Sequence, residues 1–452
     1  MSPGFAGLRI SRVLYRATPV RWRSEDRSPP RCGVQGRDRR RFGSRPERHI
    51  RPREASMNRP DYLINDADNH YYEPDDCYSR HIEERFKKRT MWIDRSKQGP
   101  GRMYVGEERC RFFSVGAGDS VGAPGVMKDF LRGASDEGGS PSLNPINGLA
   151  VPEFVSRAAR IAKMEEQGIE RCLMLPTTGV GLEPQLREPG NRDVLYPSLR
   201  AFNRWLEEDW GYGRCGRIYG APVVSLVELD DGIAELDRVC ELGARFVVVT
   251  AGPIDGRSPG DPHFDRFWAR CEETATNVVY HIGSTPFGRM YSTPWGLRAQ
   301  PPSHRHSLME YHLSFTEMPV ADTLTALIAD NVFGRFPKLR VLSVEYGSSW
   351  VRPLLTKLDH IARLYSKDMW RFGESPGTPS EMFRRNVWVA PFYEDDVVGL
   401  ADTIGPAHVL NGSDYPHPEG LSWPAEFVEE LEGMGAGDVR LIMRENFEGL
   451  VA

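Results

Sequence analysis

From Asp61 onward, short apolar runs alternate with segments whose apolar residues recur at helical spacing, a pattern that predicts a succession of strand-helix units. Tyr62 to Asp68 reads as a buried strand, and a long excursion from Pro74 to about Pro152 follows it, with hairpin patterning between Met103 and Val115. Val155 to Gln167 carries apolar residues at helical intervals, and Gly168 is placed to close that helix. Further strands are predicted over Arg171–Pro176, Tyr219–Leu226, Ala244–Thr250, Asn277–Gly283, Leu339–Glu345, Asn386–Phe392 and His408–Asp414. Helices are predicted over Asp193–Trp210, Asp231–Leu242, Pro262–Thr274, Val320–Phe336, Trp350–Tyr365 and Glu394–Ile404, and two more begin near Pro424 and Asp438. Strands that are apolar on both faces and each followed by a helix form a parallel sheet covered by helices. Eight such units fit an α/β fold of the (β/α)8 TIM-barrel type with a long insertion, about 74–152, after the first strand. No G-x-G-x-x-G follows the first strand, which disfavours an open doubly wound sheet.

Composition narrows the class. The 452 residues are 40% hydrophobic and 10% aromatic, too apolar for a disordered chain, and no apolar run reaches the ~18 residues that span a bilayer. Seven cysteines without a C-x-x-C pair give neither a disulfide framework nor a thiolate zinc site, so a reducing, cytoplasmic location is expected. The net charge of -5 hides two different segments. Residues 1–56 hold 15 arginines, no lysine and 5 acidic residues, whereas 57–452 holds 43 basic and 58 acidic ones. The first segment reads as a disordered Arg-rich extension or an over-extended translation start rather than a transit peptide or a nucleic-acid arm. The acidic body argues against nucleic acid as a partner, and nothing points to a membrane.

In a βα barrel the polar residues at the C-terminal ends of strands line the site. Asp68 and His70 end the first strand two positions apart and so share a face, with Asp66 one layer deeper. His281 ends the fifth strand, Glu345 the sixth and Asp414 the eighth. A carboxylate closing a largely apolar strand is costly unless it meets a cation or a proton donor, and a carboxylate beside an imidazole is a ligand pair for a divalent ion.

These residues sit in Ala67-Asp-Asn-His-Tyr-Tyr-Glu-Pro74, His281-Ile-Gly283, Arg335-Phe-Pro-Lys-Leu-Arg-Val-Leu-Ser-Val-Glu-Tyr-Gly-Ser-Ser-Trp350 and Gly412-Ser-Asp-Tyr-Pro-His-Pro-Glu-Gly420. In order and spacing the four motifs resemble the amidohydrolase-related branch of the metal-dependent hydrolase superfamily, the group of aminocarboxymuconate semialdehyde decarboxylase and γ-resorcylate decarboxylase. The resemblance runs from about Asp61 to the end and implies one divalent ion, zinc first with manganese or iron as alternatives, held by Asp68, His70, His281 and Asp414. The chain departs from that pattern twice. Its first motif is D-x-H where many relatives have H-x-H or E-x-H, and Glu345 stands where the resemblance would place a histidine in those decarboxylases. The fourth strand ends at Thr250 without a lysine to bridge two metals, so a single ion is expected.

Two chemistries suit such a centre. A nonoxidative decarboxylase of a small aromatic or unsaturated carboxylic acid would use Asp414 to pass a proton to carbon, with His281 and Glu345 also in catalytic positions. A hydrolase of a lactone, ester or amide would use Asp414 as the base for an activated water. Arg289, Arg298, His304, Arg305 and His306, in the loop after His281, are candidates for meeting an acid substrate. A binding protein on a barrel scaffold is the remote alternative, and a homodimer is compatible with the chain.

Deleting residues 1–56 is expected to leave a cooperative thermal melt and turnover unchanged, because the segment lacks apolar periodicity. Insoluble expression or a broadened melt of the truncated chain would show that it packs.

Overall fold

The computed structural model describes residues 60–452 apart from 114–115, 117, 134–144, 189 and 304. The Arg-rich 1–56 extension, His304 and part of the excursion therefore lie outside the described residues.

The first strand, β1, runs Ile64–Tyr71 and is buried along its whole length, so the Asp-Asn-His triplet lies within the strand rather than after it. In chain order there follow β2 (Met91–Asp94), β3 (Arg102–Val105), β4 (Glu108–Arg109), β5 (Ile169–Pro176), β6 (Ile218–Gly220), β7 (Phe246–Val248), β8 (Asn277–His281), β9 (Arg340–Val344) and β10 (Val387–Ala390). Two parallel sheets form, one of order β1-β5-β6 and one of order β10-β9-β8-β7. Single bridges join them on both flanks. Val223 pairs with Val248 between β6 and β7, and on the other side Val409 pairs with Val389 and Tyr415 with Asn69. The predicted eighth strand, His408–Asp414, thus lies between β10 and β1 without forming a regular ladder. Leu410 N donates to Val389 O at 2.9 Å, and Ala67 N to Asn411 O at 2.8 Å. Backbone hydrogen bonds consequently pass round all eight segments in sequence order, as a (β/α)8 arrangement requires.

Helices follow the strands close to the predicted places. Arg157–Gln167 ends on Gly168 at φ 77°, and Arg192–Asp209, Leu229–Glu241, Asp265–Glu273, Val351–Leu364 and Val397–Ile404 match their expected ranges within a few residues. The predicted Val320–Phe336 helix is two, Met318–Ala329 and Val332–Arg335, because Asn331 takes a left-handed φ of 58° between them. The segment beginning at Pro424 is a 3-10 helix to Leu431. Within the excursion, β2, β3 and β4 form an antiparallel sheet whose pairing starts at Met91, earlier than the Met103–Val115 hairpin pattern indicates. A short helix at Lys128–Leu131 follows, and this part of the excursion docks on the exit loop of the eighth segment. Gly125 N and Met127 N donate to His417 O and Pro418 O, and Lys128 pairs with Glu426 at 2.5 Å.

One irregularity positions the site. Between Asp66 and Asn69 the register of β1 against β5 advances three residues for two, a bulge that breaks the simple alternation of side chains. Asp66, expected one layer deeper on the face of Asp68, instead accepts hydrogen bonds from Asp68 N, Asn69 Nδ2, Ser413 N and Ser413 Oγ at 2.5–3.1 Å. It ties the bulge to the eighth segment. Asn69 in turn accepts from the fully buried Arg160, whose guanidinium lies 5.0 Å from the Tyr415 ring centre.

Asp66→Ala is expected to cost about 2–4 kcal/mol of stability, since several buried donors lose their acceptor at once. Denaturant titration reads the change, and a loss below about 0.5 kcal/mol would show that Asp66 does not tie these segments together.

Candidate metal centre and active site

The C-terminal ends of β1, β8, β9 and the eighth segment converge on the imidazole of His70, which is fully buried. Its Nε2 lies 3.1 Å from Asp68 Oδ1, 3.3 Å from His281 Nε2, 3.4 Å from Asp414 Oδ1 and 3.6 Å from Glu345 Oε2. His281 Nε2 is 2.8 Å from Glu345 Oε2 and 3.8 Å from Asp68 Oδ1. The five strand-end residues singled out in the sequence, Asp68, His70, His281, Glu345 and Asp414, therefore converge here. They fall into two overlapping groups, however: Asp68, His70, His281 and Glu345 form one, and Asp414 belongs to the other with His70, Glu345 and His417. Glu345 lies inside the donor cluster rather than beside it. Its ion-pair partners are the two imidazoles, so the arginine salt bridge that a buried carboxylate would otherwise call for is replaced by histidine.

The backbone shows how these side chains are aimed. Glu345 and Asp414 both have left-handed φ values, 59° and 55°, which non-glycine residues adopt at some energetic cost and which concentrate at functional sites. Gly412 gives Asp68 its room, since a Cβ there would lie 2.9 Å from Asp68 Cβ. His281 Nδ1 donates to Ile282 O at 2.8 Å, which aims Nε2 into the cluster.

The charge state is that of a site short of positive charge. Burial works against a charged His281, but the carboxylates of Glu345 and Asp68 more than offset it and push its pKa up to about 10. His70 is raised against the same desolvation by Asp68 and Glu345. Asp414 is raised well above the carboxylate range, first by burial and then by Glu345 and Glu419, whereas the imidazoles hold Glu345 low against its own burial. Glu419, whose motif the sequence singled out without assigning it a role, is pushed up to about 7 by burial and by Glu345. Among the described residues no lysine or arginine pairs with Asp68, Glu345 or Asp414.

The basic residues of the loop after β8 point elsewhere. Arg289 pairs with Glu188 at 2.8 Å, Arg298 with Glu310 at 2.7 Å, and His306 packs 4.6 Å from Phe315. Arg305 is exposed.

A divalent cation fits this donor set. Ligand bonds of ~2.0–2.2 Å place neighbouring donor atoms roughly 3–3.5 Å apart, close to the spacings around His70 Nε2. Glu345 Oε2 supplies a second sign: it is buried between the two imidazoles, 2.8 Å from His281 Nε2 and 3.6 Å from His70 Nε2, where a cation could take the place of imidazole protons. Two imidazoles with three carboxylates suit zinc and manganese alike.

His417 was not assigned from the sequence. Its Nδ1 lies 2.6 Å from Asp414 Oδ1 and its ring 4.2 Å from that of His70. The only signal was its place three residues after Asp414 in the eighth-strand motif.

Comparison with known proteins agrees with this geometry. The family profile described as amidohydrolase matches residues 151–447. An amidohydrolase crystal structure from Mycobacterium avium subsp. paratuberculosis K-10 is 36% identical, with a TM-score of 0.79, and the match covers 87% of this chain and 100% of that one. A dihydroxybenzoic acid decarboxylase from Polaromonas sp. JS666, solved with manganese and 2-nitroresorcinol, is 17% identical over 72% of this chain and 92% of its own, with a TM-score of 0.52. A 5-carboxyvanillate decarboxylase from Novosphingobium aromaticivorans DSM 12444, solved with manganese and 4-hydroxy-3-methoxy-5-nitrobenzoic acid, is 15% identical over 86% and 96%, with a TM-score of 0.55. At that identity both decarboxylases show the shared fold. No curated protein matches the chain, and among the described residues no helix is long and apolar enough to cross a membrane. The profile spans well over half of the sequence, and the buried imidazole-carboxylate cluster lies where such a fold keeps its chemistry: the chain belongs to the amidohydrolase family and is a metal-dependent enzyme.

Proposed function

We propose that this enzyme is a nonoxidative carboxy-lyase acting on a small aromatic or unsaturated carboxylic acid. Asp414 carries the reading: its carboxyl ends the eighth segment 3.4 Å from the His70 imidazole, and in the absence of a cation burial and the neighbouring carboxylates raise its proton affinity. Asp68, His70 and His281, with Asp414, would hold the ion, and Glu345 stands close enough to share in holding it. The ion supplies Lewis acidity that anchors a substrate carboxylate and a neighbouring oxygen. Asp414 then gives its proton to the carbon bearing the carboxylate. The bond from that carbon to the carboxylate breaks, the electron pair stays on the carbon, and carbon dioxide leaves. The low-identity decarboxylases support the choice of reaction by fold, and manganese is the ion that both carry.

Hydrolysis of a lactone, ester or amide is the second reading. It is favoured by the orientation of Arg289 and Arg298 toward Glu188 and Glu310, because a neutral substrate makes no demand for them. Mass-spectrometric screening of the metal-loaded protein against aromatic and unsaturated acids, lactones and amides separates the two: loss of the mass of carbon dioxide marks the first and gain of the mass of water the second.

Elemental analysis is expected to find one divalent ion per chain, and His70→Ala or His281→Ala should lower occupancy at least ~10-fold. Full occupancy in both variants would remove these histidines from the ligand set.

Asp414→Asn keeps the shape and one oxygen but not the proton carrier, so turnover is expected to fall ~10²–10⁴-fold while substrate binding survives. Glu345→Gln should lower turnover at a near-unchanged melting temperature of the metal-free protein. An Asp414→Asn enzyme with full activity would end both readings together.

A further inference from the structure

Arg160 is a cation in a costly place. It lies on the Arg157–Gln167 helix with no exposed surface, and among the described residues its guanidinium pairs with no carboxylate. Nε donates to Glu153 O at 2.7 Å, Nη1 donates to Asn69 Oδ1, and Nη2 makes no hydrogen bond. The ring centres of Tyr415 and Trp210 lie 5.0 and 5.8 Å from the guanidinium carbon. For stability alone, an apolar side chain of similar length would often serve such a position as well or better. We propose that Arg160 is a positioning residue for the metal centre: through Asn69 and Asp66 it fixes the ligands of the first segment against Asp414 of the eighth. The proposal rests on Asp68, His70 and Asp414 as metal ligands and is indifferent to which reaction follows.

The bonds run directly behind those ligands. A guanidinium can only donate, so Asn69 turns its oxygen to Arg160 and its nitrogen to Asp66 Oδ2, 2.8 Å away. The same Asp66 oxygen accepts from Ser413 Oγ at 2.5 Å, and Asp66 Oδ1 accepts from Asp68 N and Ser413 N at 3.1 and 3.0 Å. Asn69 stands between Asp68 and His70 in the chain, and Ser413 immediately precedes Asp414. Two backbone bonds clamp the same segments together. Asp414 N donates to Asp68 O at 2.8 Å, and His70 N donates to Tyr415 O at 2.7 Å.

Arg160 supplies the outer end of this chain. Without its donor the Asn69 amide loses the partner that sets its orientation, and the bulge that turns Asp68 and His70 toward the centre loses a side-chain tie to the helix layer. Because the guanidinium bonds Asn69 and not a ligand, it holds the segment without competing with an ion for the ligands' lone pairs. Such partners behind a ligand set are what fix its geometry.

The test uses the full-length chain with Arg160→Met, Asn69→Ala and, as a control, Leu236→Ala, which truncates a fully buried side chain of the Leu229–Glu241 helix. Chelator competition reads the zinc and manganese dissociation constants, and the visible spectrum of cobalt-loaded protein reports the ligand geometry. Arg160→Met and Asn69→Ala are expected to raise both constants ~10-fold and to alter the cobalt bands, with the metal-free melting temperature of Arg160→Met near that of wild type. Leu236→Ala should lower the melting temperature and leave affinity and cobalt bands unchanged. Wild-type affinities and cobalt bands in both Arg160→Met and Asn69→Ala would overturn the proposal, as would an equal loss of affinity in Leu236→Ala. If wild type takes up no ion, the ligand assignment fails by itself, and a crystal structure of metal-free Arg160→Met decides this one. His70 Nε2 and Asp414 Oδ1, 3.4 Å apart with Arg160 in place, should then separate by at least ~0.5 Å, and an unchanged spacing would overturn the proposal.

Discussion

His70 is the point on which the structure turns. An imbalance of charge surrounds a side chain with no exposure to solvent: Asp68, Glu345 and Asp414 each place a carboxylate oxygen within 3.6 Å of one imidazole nitrogen. Burying one unpaired carboxylate costs several kcal/mol, and burying three together without a cation would exceed the stability of most domains. Protons on the imidazoles and on Asp414 relieve part of this, which is why both histidines and that aspartate gain proton affinity. A divalent ion relieves it more fully, and the geometry is already arranged for one.

The surrounding fold is shaped to bring these anions together. A bulge in β1 turns Asp66 away to bond the eighth segment, so that Asp68 and His70 are left facing the centre. The eighth segment, for its part, gives up regular pairing for bridges and single hydrogen bonds, which lets Asp414 adopt its left-handed φ of 55°. Glu345 does the same at the end of β9 with φ 59°. The irregular places in the barrel and the chemically active places coincide, as expected where packing elsewhere offsets local strain. The excursion after β1 contributes from outside: its backbone bonds to His417 and Pro418 fix the loop that carries the last carboxylates.

Much of this was legible in the sequence, and the illegible parts share a cause. Strand ends are readable because an acidic or imidazole side chain closing an apolar run is conspicuous, so Asp68, His70, His281, Glu345 and Asp414, which the structure brings together, all stand out in the sequence. Period-2 alternation places Asp66 beneath Asp68, but a bulge leaves no mark on composition, and only the register against β5 reveals it. The place of His417 was hidden for a similar reason: nothing in its proline-flanked turn shows that Thr177, from a distant segment, lies 3.2 Å from its ring. The break at Asn331 was likewise invisible, since asparagine is tolerated within helices and in left-handed turns alike. For Asp66 and His417 the missing information was a contact between segments far apart in the chain.

The same charge balance bears on which reaction the site favours. With a divalent ion present and Asp68, Glu345 and Asp414 all ionised, the centre keeps one net negative charge. A neutral lactone or amide leaves that unchanged, and Asp414 then starts as the base that hydrolysis needs. An acid substrate adds a further negative charge to a buried site, which is tolerable if Asp414 takes up a proton, and a protonated Asp414 is the donor that decarboxylation needs. The substrate's own charge thus sets the starting state of the residue that acts on it. Burial of Asp414 beside Glu345 and Glu419 raises its proton affinity before any substrate arrives, and the His417 imidazole lies 2.6 Å from its carboxylate. On the proposed carboxy-lyase reading, such a site would accept an anionic substrate without an arginine, because Asp414 would admit the extra charge by holding the proton that the reaction uses.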